Sequence, residues 1–198
     1  MRRWIVLAIF LLTVCAARVP AADAGALIGA NLGYTHLSYP DIEPDFSNNI
    51  IAVPGSEEWG QPGFRVGYLS PKGRWDVNVD LGFVHRSGPI FEDMTTFDLY
   101  PQLQYNFPSE GFSPFINGGV GIHHESALGL DLSSSRPIFG VGAGLRKPVS
   151  NAHGFIRGEV RYDHIPDDEE EISPGNVFTF PTTDLLSVKL GFDLVLSH

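Results

Sequence analysis

Acidic side chains near the C-terminal end of the chain have the chemistry to bind a divalent cation. Five of them are consecutive, and their oxygens are ligands that Ca²⁺ and Mg²⁺ accept: Asp167, Asp168, Glu169, Glu170 and Glu171. The run lacks the alternating ligand spacing of an EF-hand loop, so the sequence favours a solvated acidic loop over a metal site. We therefore expect neither a metal nor a cofactor.

Histidines form a second group with possible site chemistry. His123 and His124 are adjacent and precede Glu125, but neighbouring side chains on a strand point to opposite faces and cannot share an ion. Four histidines have the same parity near one end of alternate predicted strands: His36, His85, His124 and His164. Neighbours in this set lie two strands, or about 10 Å, apart, which excludes a common metal. We interpret them as rim residues, with the hypothesis that protonated imidazoles contact phosphate groups of a membrane.

A third group consists of charged side chains spaced by two residues along several predicted strands. Its six acids and five bases nearly balance: Arg65, Asp76, Asp80, Asp98, Arg146, Arg157, Glu159, Arg161, Asp163, Lys189 and Asp193. They share one face of the predicted strands with many glycines. Near-neutrality and small residues are expected of the cramped interior of a small barrel, where an unpaired charge is costly.

The elements that must position these groups are strands, because apolar and polar residues alternate with a period of two in eight segments. The segments are 26–39, 63–69, 75–83, 97–107, 112–124, 139–146, 156–163 and 186–196. The third is the clearest, since Trp75, Val77, Val79, Leu81 and Phe83 alternate with polar residues and glycine. No segment has a convincing helical period.

The connections between the predicted strands alternate in length. Short turns are expected at 70–73, 108–111 and 148–153, and long loops at 40–62, 86–96, 125–135 and 165–183. Short turns on one rim and long loops on the other are typical of an antiparallel membrane barrel with extracellular long loops. A soluble, lipocalin-like barrel would instead place its apolar face inside. The charged, glycine-rich face favours the transmembrane alternative.

Most acidic residues fall in the predicted long loops and at their rims. They are Asp41, Glu43, Asp45, Glu57, Glu58, Glu92, Asp93, Glu125, Asp131, Asp167, Asp168, Glu169, Glu170, Glu171 and Asp184. Only Arg86 and Arg136 oppose them there, whereas the short turns hold Lys72, Arg74 and Lys147 against Glu110. We therefore expect an acidic extracellular surface.

Composition restricts the function and the compartment. The 198 residues carry a formal charge of −10, which argues against a nucleic-acid partner because phosphate binding requires clustered Lys and Arg. Arg2 and Arg3 precede an apolar stretch, and Ala22-Asp23-Ala24 matches a signal-peptidase site. The sequence thus predicts a signal peptide at 1–24 and one barrel domain at 25–198. The single cysteine, Cys15, lies in the predicted signal, which excludes a disulfide framework in the exported chain.

The predicted last strand ends in Lys189-Leu190-Gly191-Phe192-Asp193-Leu194-Val195-Leu196, and residues 114–121 read PFINGGVG. With these segments the chain resembles the small eight-stranded outer-membrane barrels of Gram-negative bacteria, of the OmpA, OmpX and opacity-protein type. The resemblance identifies Lys189, Gly191, Leu194 and Leu196 as an assembly signal. It implies export through the Sec pathway, insertion by the barrel assembly machinery, and a monomer in contact with outer-membrane lipids and lipopolysaccharide.

The function that follows is a structural or surface-interaction role, exerted through acidic loops on an unidentified ligand. A narrow porin-like channel is an alternative, although paired charges are expected to plug the lumen. Another alternative is a degenerate lipid A deacylase, an eight-stranded relative whose lipid-facing His is followed two residues later by Ser. Here His164 is followed by Pro166, which has no hydroxyl, and Ser173 would have to fold back from the acidic loop. We therefore expect no enzymatic activity.

Overall fold

A computed structural model describes residues 25–38, 57–86, 94–109, 111–127, 132–149, 154–173, 176–180 and 182–197. The predicted signal peptide at 1–24 lies outside these ranges. In the part of the chain that is described, no helix is long and apolar enough to cross a membrane.

Ten strands are present in the described residues. They are β1 (Gly25–Ser38), β2 (Glu57–Leu69), β3 (Trp75–Arg86), β4 (Met94–Asn106), β5 (Ser113–Ala127), β6 (Leu132–Val149), β7 (Gly154–Ile165), β8 (Asp168–Ser173), β9 (Asn176–Phe180) and β10 (Thr183–Ser197). Eight of them close a barrel in the order β1-β10-β7-β6-β5-β4-β3-β2, and every pair is antiparallel. The predicted all-β, eight-stranded up-and-down barrel is confirmed. Strands β8 and β9 form a separate hairpin between β7 and β10.

The two faces of the barrel wall differ in polarity as the alternation predicts. Large apolar side chains cover the outside, and Leu190 in the middle of β10 is 68% exposed. Charged and amide side chains fill the inside, where Arg65 and Arg157 are each only 1% exposed. A soluble barrel would have the opposite arrangement, so this polarity excludes a lipocalin-like apolar cavity.

Glycines on the inner face make room for the charged side chains. A Cβ added at Gly140 would overlap the Asp163 carboxylate and lie 2.9 Å from the Tyr100 hydroxyl oxygen. The Tyr100 hydroxyl donates to the carbonyl oxygen of Gly140 at 2.7 Å, so this glycine and the tyrosine fit together across the lumen. Tyr100 also belongs to a small apolar cluster with Ile138, Ile165 and Leu185.

Several predicted loop boundaries are wrong. Strand β2 begins at Glu57 rather than near Gly63. Strand β5 continues to Ala127, and β6 already begins at Leu132. The predicted long loop at 125–135 is therefore mostly strand. Because β5 and β6 stay paired there, Glu125 and Arg136 belong to the barrel and not to an extracellular loop.

The predicted long loop at 165–183 contains the hairpin of β8 and β9. Asp168 pairs with Phe180 and Glu169 with Thr179 in its ladder. Most of the acidic run is thus a strand, in contrast to the expected irregular loop. The hairpin rises from β7 and β10 at the end of the barrel that bears the long connections.

Candidate functional site

The centre of the barrel lumen is crossed by a buried network around Arg65. Its guanidinium donates to both carboxylate oxygens of Asp80, at 2.6 and 2.9 Å, from the neighbouring strand β3. It also reaches Gln104 Oε1 at 3.2 Å and Glu159 Oε2 at 3.4 Å on the other side of the lumen. Arg65 therefore links β2 to β3, β4 and β7 through side chains alone.

A second arginine completes this central layer. Arg157 on β7 donates to Glu159 on the same strand and to Asp193 Oδ2 at 3.1 Å on β10. Glu159 accepts a further hydrogen bond from Asn117 Nδ2 at 2.9 Å. The Arg157 guanidinium and the Glu159 carboxylate are both fully buried. Since a buried charge is tolerated only when it is paired and hydrogen-bonded, the layer holds its members in one arrangement.

A polar floor lies below the central layer, at the end with the short turns. Arg146 donates to Asp76 Oδ2 at 3.2 Å and to the carbonyl oxygen of Gly73 in the turn after β2 at 2.6 Å. Asp76 also accepts from Asn106 at 3.0 Å and from Gln104 at 3.1 Å. The floor connects β3, β4 and β6 to the Pro71–Gly73 turn.

Above the central layer the lumen contains a cavity. Arg161 donates to Asp163 Oδ1 at 2.7 Å, and its guanidinium carbon lies 3.5 Å from the centre of the Tyr100 ring. Asp80, Asp98, Asp163 and Lys189 are among the lining residues. The cavity has room for about four water molecules.

The mouth of the lumen carries a cluster that the sequence analysis did not assemble. His123 Nδ1 lies 2.6 Å from Asp98 Oδ1, and its Nε2 lies 3.8 Å from Glu125 Oε2. Arg136 donates to Glu125 Oε2 at 2.8 Å. Extending the inward parity of the predicted fifth strand by one residue identifies Glu125, and extending that of the predicted sixth strand by three residues identifies Arg136.

All eleven charged residues predicted for the lumen lie on the inward face. Ten of them take part in the ion pairs and hydrogen bonds described above, and Lys189 lines the cavity without such a bond. The ion pairs and hydrogen bonds occupy successive levels of the lumen, from the floor around Asp76 to the mouth around His123.

The rim histidines have separate environments. His36 is exposed, and the His85 side chain lies outside the described residues. His124 Nδ1 lies 2.8 Å from Ser135 Oγ on β6. His164 Nδ1 lies 2.8 Å from Asp184 Oδ1, which also accepts from the Tyr162 hydroxyl at 2.7 Å.

The first three residues of the acidic run, Asp167, Asp168 and Glu169, are all exposed. Asp168 accepts a hydrogen bond from Ser134 at 2.8 Å, and Asp167 accepts one from Thr182 at 3.5 Å. The side chains of Glu170 and Glu171 lie outside the described residues. No three His, Cys, Asp or Glu side chains converge in the ranges that the structure covers.

The predicted assembly-signal residues lie on β10, which closes the barrel against β1. Leu194 and Leu196 point outward and are half exposed, at 46% and 51%. Lys189 and Gly191 point into the lumen, and Gly191 pairs with Asn31 of β1. Their role in assembly stays a prediction.

Solved structures share this architecture. The crystal structure of Neisserial surface protein A superposes with a TM-score of 0.63 at 15% identity, covering 86% of this chain and 97% of that one. The outer-membrane protein OprG from Pseudomonas aeruginosa gives 0.53 at 15% identity, covering 91% and 100%. No protein-family model matches the sequence, and neither does any curated protein sequence. The chain therefore has the fold of the small outer-membrane barrels.

Proposed function

We propose that this chain is an outer-membrane protein of a Gram-negative bacterium with a structural and surface-interaction role, not a pore and not an enzyme. The observation that carries the proposal is a closed barrel with an apolar exterior and paired, buried charges in its lumen. The exterior suits contact with lipid, and we infer that the paired charges plug the lumen and oppose transport. What remains available for interaction is the end of the barrel with the acidic hairpin.

The hairpin supports the surface role because it is anchored to the barrel. Ser134 of β6 donates to Asp168, and Arg136 donates to the carbonyl oxygen of Pro166 at 3.3 Å. The Arg136 guanidinium also lies 5.5 Å from the centre of the Phe180 ring. An anchored acidic strand presents its carboxylates to a basic partner in a more constant arrangement than a loose loop would.

Conductance tests the rejection of a pore. The chain refolded into planar lipid bilayers should give no steady openings in the nanosiemens range, because side chains block the lumen at more than one level. Steady openings of that size would overturn the plugged-lumen proposal and favour the porin-like alternative.

Surface binding tests the positive part of the proposal. Cells that display the wild-type chain should retain a basic peptide, such as oligolysine, more strongly than cells that display the variant Asp167→Asn/Asp168→Asn/Glu169→Gln. A matched control, Glu110→Gln, removes an acid from a short turn on the opposite rim and should leave retention unchanged. Equal retention by all three would remove the acidic hairpin from the proposal.

Export and assembly follow from the same proposal. The signal-like segment at 1–24 supports the Sec route, and the pattern of β10 supports recognition by the barrel assembly machinery. One chain supplies all eight barrel strands, which supports a monomer surrounded by lipid and lipopolysaccharide. Outer-membrane fractionation and heat-modifiable gel migration test the location and the fold together.

Lipid ester hydrolysis is a second candidate, favoured by the contact between His164 and Asp184. Asp184 at Nδ1 would orient the imidazole so that Nε2 accepts a proton. Because Pro166 stands where a nucleophilic Ser would be needed, water would have to attack the ester, releasing a carboxylic acid and an alcohol. Mass spectrometry of lipid A and phospholipids from cells expressing the wild type and His164→Ala tests it, since hydrolysis requires a product that the variant does not form.

A further inference from the structure

The rim of the barrel at the end with the short turns is the basic end of this chain. Its turns contain three cations and one acid, namely Lys72, Arg74, Lys147 and Glu110, whereas most acids of the sequence belong to the opposite end. Arg74 and Lys147 are both exposed. Among the residues that the structure describes, neither of them has a carboxylate oxygen within ion-pair distance. The described part of this rim therefore carries two positive charges without an acidic partner.

Exposed aromatic rings lie between the two cations along the rim. Trp75 and Phe107 are exposed, and the Tyr105 ring contacts both, with centres 4.7 Å from Trp75 and 5.0 Å from Phe107. Phe112 is 58% exposed, and its ring centre lies 5.3 Å from the Lys147 ammonium. A row of aromatic rings at the edge of an apolar belt is typical of the level where lipid headgroups meet hydrocarbon chains.

The backbone fixes both cations beside these rings. The Asn106 amide donates to the carbonyl oxygen of Arg74 at 2.7 Å, and Lys147 lies in the ladder of β6 with β7. The Ser113 hydroxyl donates to the carbonyl oxygen of Phe107 at 2.6 Å, which joins the ends of β4 and β5. From β3 to β6 the rim spans three interstrand spacings, or roughly 14 Å. The two cations can therefore contact separate headgroups on one arc of the rim.

The ligand chemistry that fits this arc is an anionic phospholipid. Its acyl chains would lie on the apolar outer face next to the rings, where Leu103 and Leu145 are half exposed. Its phosphate would lie at the level of the cations, and each Lys or Arg near an anionic membrane surface adds attraction. A zwitterionic headgroup also carries an ammonium, which these cations repel, so a lipid with a net negative charge fits better.

The opposite end of the barrel has the reverse charge. Asp167, Asp168 and Glu169 are exposed there, and the long connections hold most other acids of the sequence. Because like charges repel, an anionic headgroup is disfavoured at that end. The two ends therefore differ in lipid preference as well as in the length of their connections.

We propose that the rim at the short-turn end binds anionic phospholipid headgroups through Arg74 and Lys147, with the rings of Trp75, Phe107 and Phe112 at the level of the lipid ester groups. In a membrane barrel the short turns lie on the periplasmic side, so the preferred lipid belongs to that leaflet. The inference rests on the proposed membrane location and deepens it by naming the class of lipid.

Quenching of Trp75 by brominated lipid tests the preference. Trp59→Phe leaves Trp75 as the only tryptophan of the exported chain, residues 25–198. This variant is reconstituted into two sets of phosphatidylcholine vesicles that contain the same minor fraction of phosphatidylglycerol. Bromine is carried by the phosphatidylglycerol in one set and by an equal number of phosphatidylcholine molecules in the other. Quenching should be at least about twofold stronger with bromine on the phosphatidylglycerol. Equal quenching would leave the rim to a soluble acidic partner and overturn the lipid site.

Two comparisons assign the preference to the cations of this rim. Arg74→Gln/Lys147→Gln should abolish the excess quenching, whereas Arg74→Lys/Lys147→Arg should retain it, because the positive charge attracts the headgroup. In a background with Trp59→Phe and Trp75→Phe, the variant Phe139→Trp places a matched reporter on the outer face near the opposite end, where the excess should be absent. An excess that survives in the Gln variant, or an equal excess at position 139, would overturn the rim site.

Heat-modifiable gel migration of every variant separates this proposal from the previous one. A chain that does not fold and insert contradicts the membrane barrel itself. A folded, inserted chain whose Trp75 is quenched equally by both lipids contradicts only the lipid preference of the rim.

Discussion

The contribution of the lumen network to the free energy of unfolding can be measured by replacing one of its buried charged residues. Arg157 is fully buried and holds both Glu159 and Asp193. Replacing it by Leu leaves two carboxylates without their main partner, which we expect to lower the free energy of unfolding by about 3–5 kcal/mol. Urea unfolding in detergent micelles measures this loss.

The control for that substitution is Arg74→Leu, which removes an exposed arginine from the turn after β2. It should change the unfolding free energy by no more than about 0.5 kcal/mol. If both variants unfold at the same urea concentration, the network is not a stabilising element.

The cost of placing a charge at single positions on the outer face tests whether the barrel spans a bilayer. Leu190 lies in the middle of β10 and is 68% exposed, whereas Leu186 lies on the same face near the end of the strand with the long connections. An arginine at the centre of a bilayer costs about 2–4 kcal/mol and near an interface about 0–1 kcal/mol. Leu190→Arg should therefore destabilise the barrel in phosphatidylcholine vesicles much more than Leu186→Arg, as measured by reversible denaturant unfolding. Equal costs at the two positions would contradict a spanning orientation.

At the level of elements, two side chains of the barrel contact the hairpin of β8 and β9 and the segment leading into it, Ser134 through one hydrogen bond and Arg136 more extensively. Arg136 contacts the Pro166 carbonyl, the Phe180 ring and Glu125. Arg136→Gln removes the cation from all three contacts, so amide hydrogens of 168–180 should exchange roughly tenfold faster, the factor expected for about 1.4 kcal/mol. Hydrogen-exchange mass spectrometry measures the change.

Exchange in β10 provides the internal control for Arg136→Gln. It should stay unchanged, because the ladders of β10 with β1 and β7 do not involve Arg136. Unchanged exchange in the hairpin would mean that its own ladder and the hydrogen bond from Ser134 to Asp168 hold it without Arg136.

Strand faces could be predicted from the sequence wherever apolar and polar residues contrast strongly. The segment from Trp75 to Phe83 does so at every position, and its faces are as predicted. Strand ends could not be predicted, because the contrast between apolar and polar residues is lost there. Ser133, Ser134 and Ser135 are polar on both faces of β6, so the sequence shows no alternation although the strand continues through them.

The candidate sites show the same limit. The eleven lumen charges were identified because they alternate with apolar residues within a strand. The pairing of Arg136 with Glu125 and the end of the β2–β3 ladder at the Gly63–Gly82 pair depend on the register between strands, which one sequence does not encode. The acidic hairpin was missed because five successive acids have low strand propensity, and the ladder to Val177 and Phe178 overrides it.

At the scale of the whole molecule, closure of the barrel and filling of its lumen are separate properties. The backbone ladders close the wall, and we propose that the side chains of Arg65, Asp80, Arg157 and Glu159 close the passage. A barrel of eight strands has an interior just wide enough to be filled by side chains. Shortening the side chains of the central layer should therefore open the passage while the wall stays intact.

We expect conductance steps from the variant Arg65→Ser/Asp80→Ser/Arg157→Ser/Glu159→Ser in planar bilayers, and none from the wild type. The substitution removes two bases and two acids, so the net charge is unchanged and Asp193, which loses Arg157, becomes hydrated rather than stranded in a dry lumen. The matched control is Arg74→Ser/Lys147→Ser/Asp167→Ser/Glu169→Ser, which removes the same charges outside the central layer and should stay silent. Heat-modifiable migration verifies that both variants fold. A folded central-layer variant without openings would mean that the floor around Asp76 and Arg146 blocks the lumen by itself, and the prediction for the central layer would be wrong.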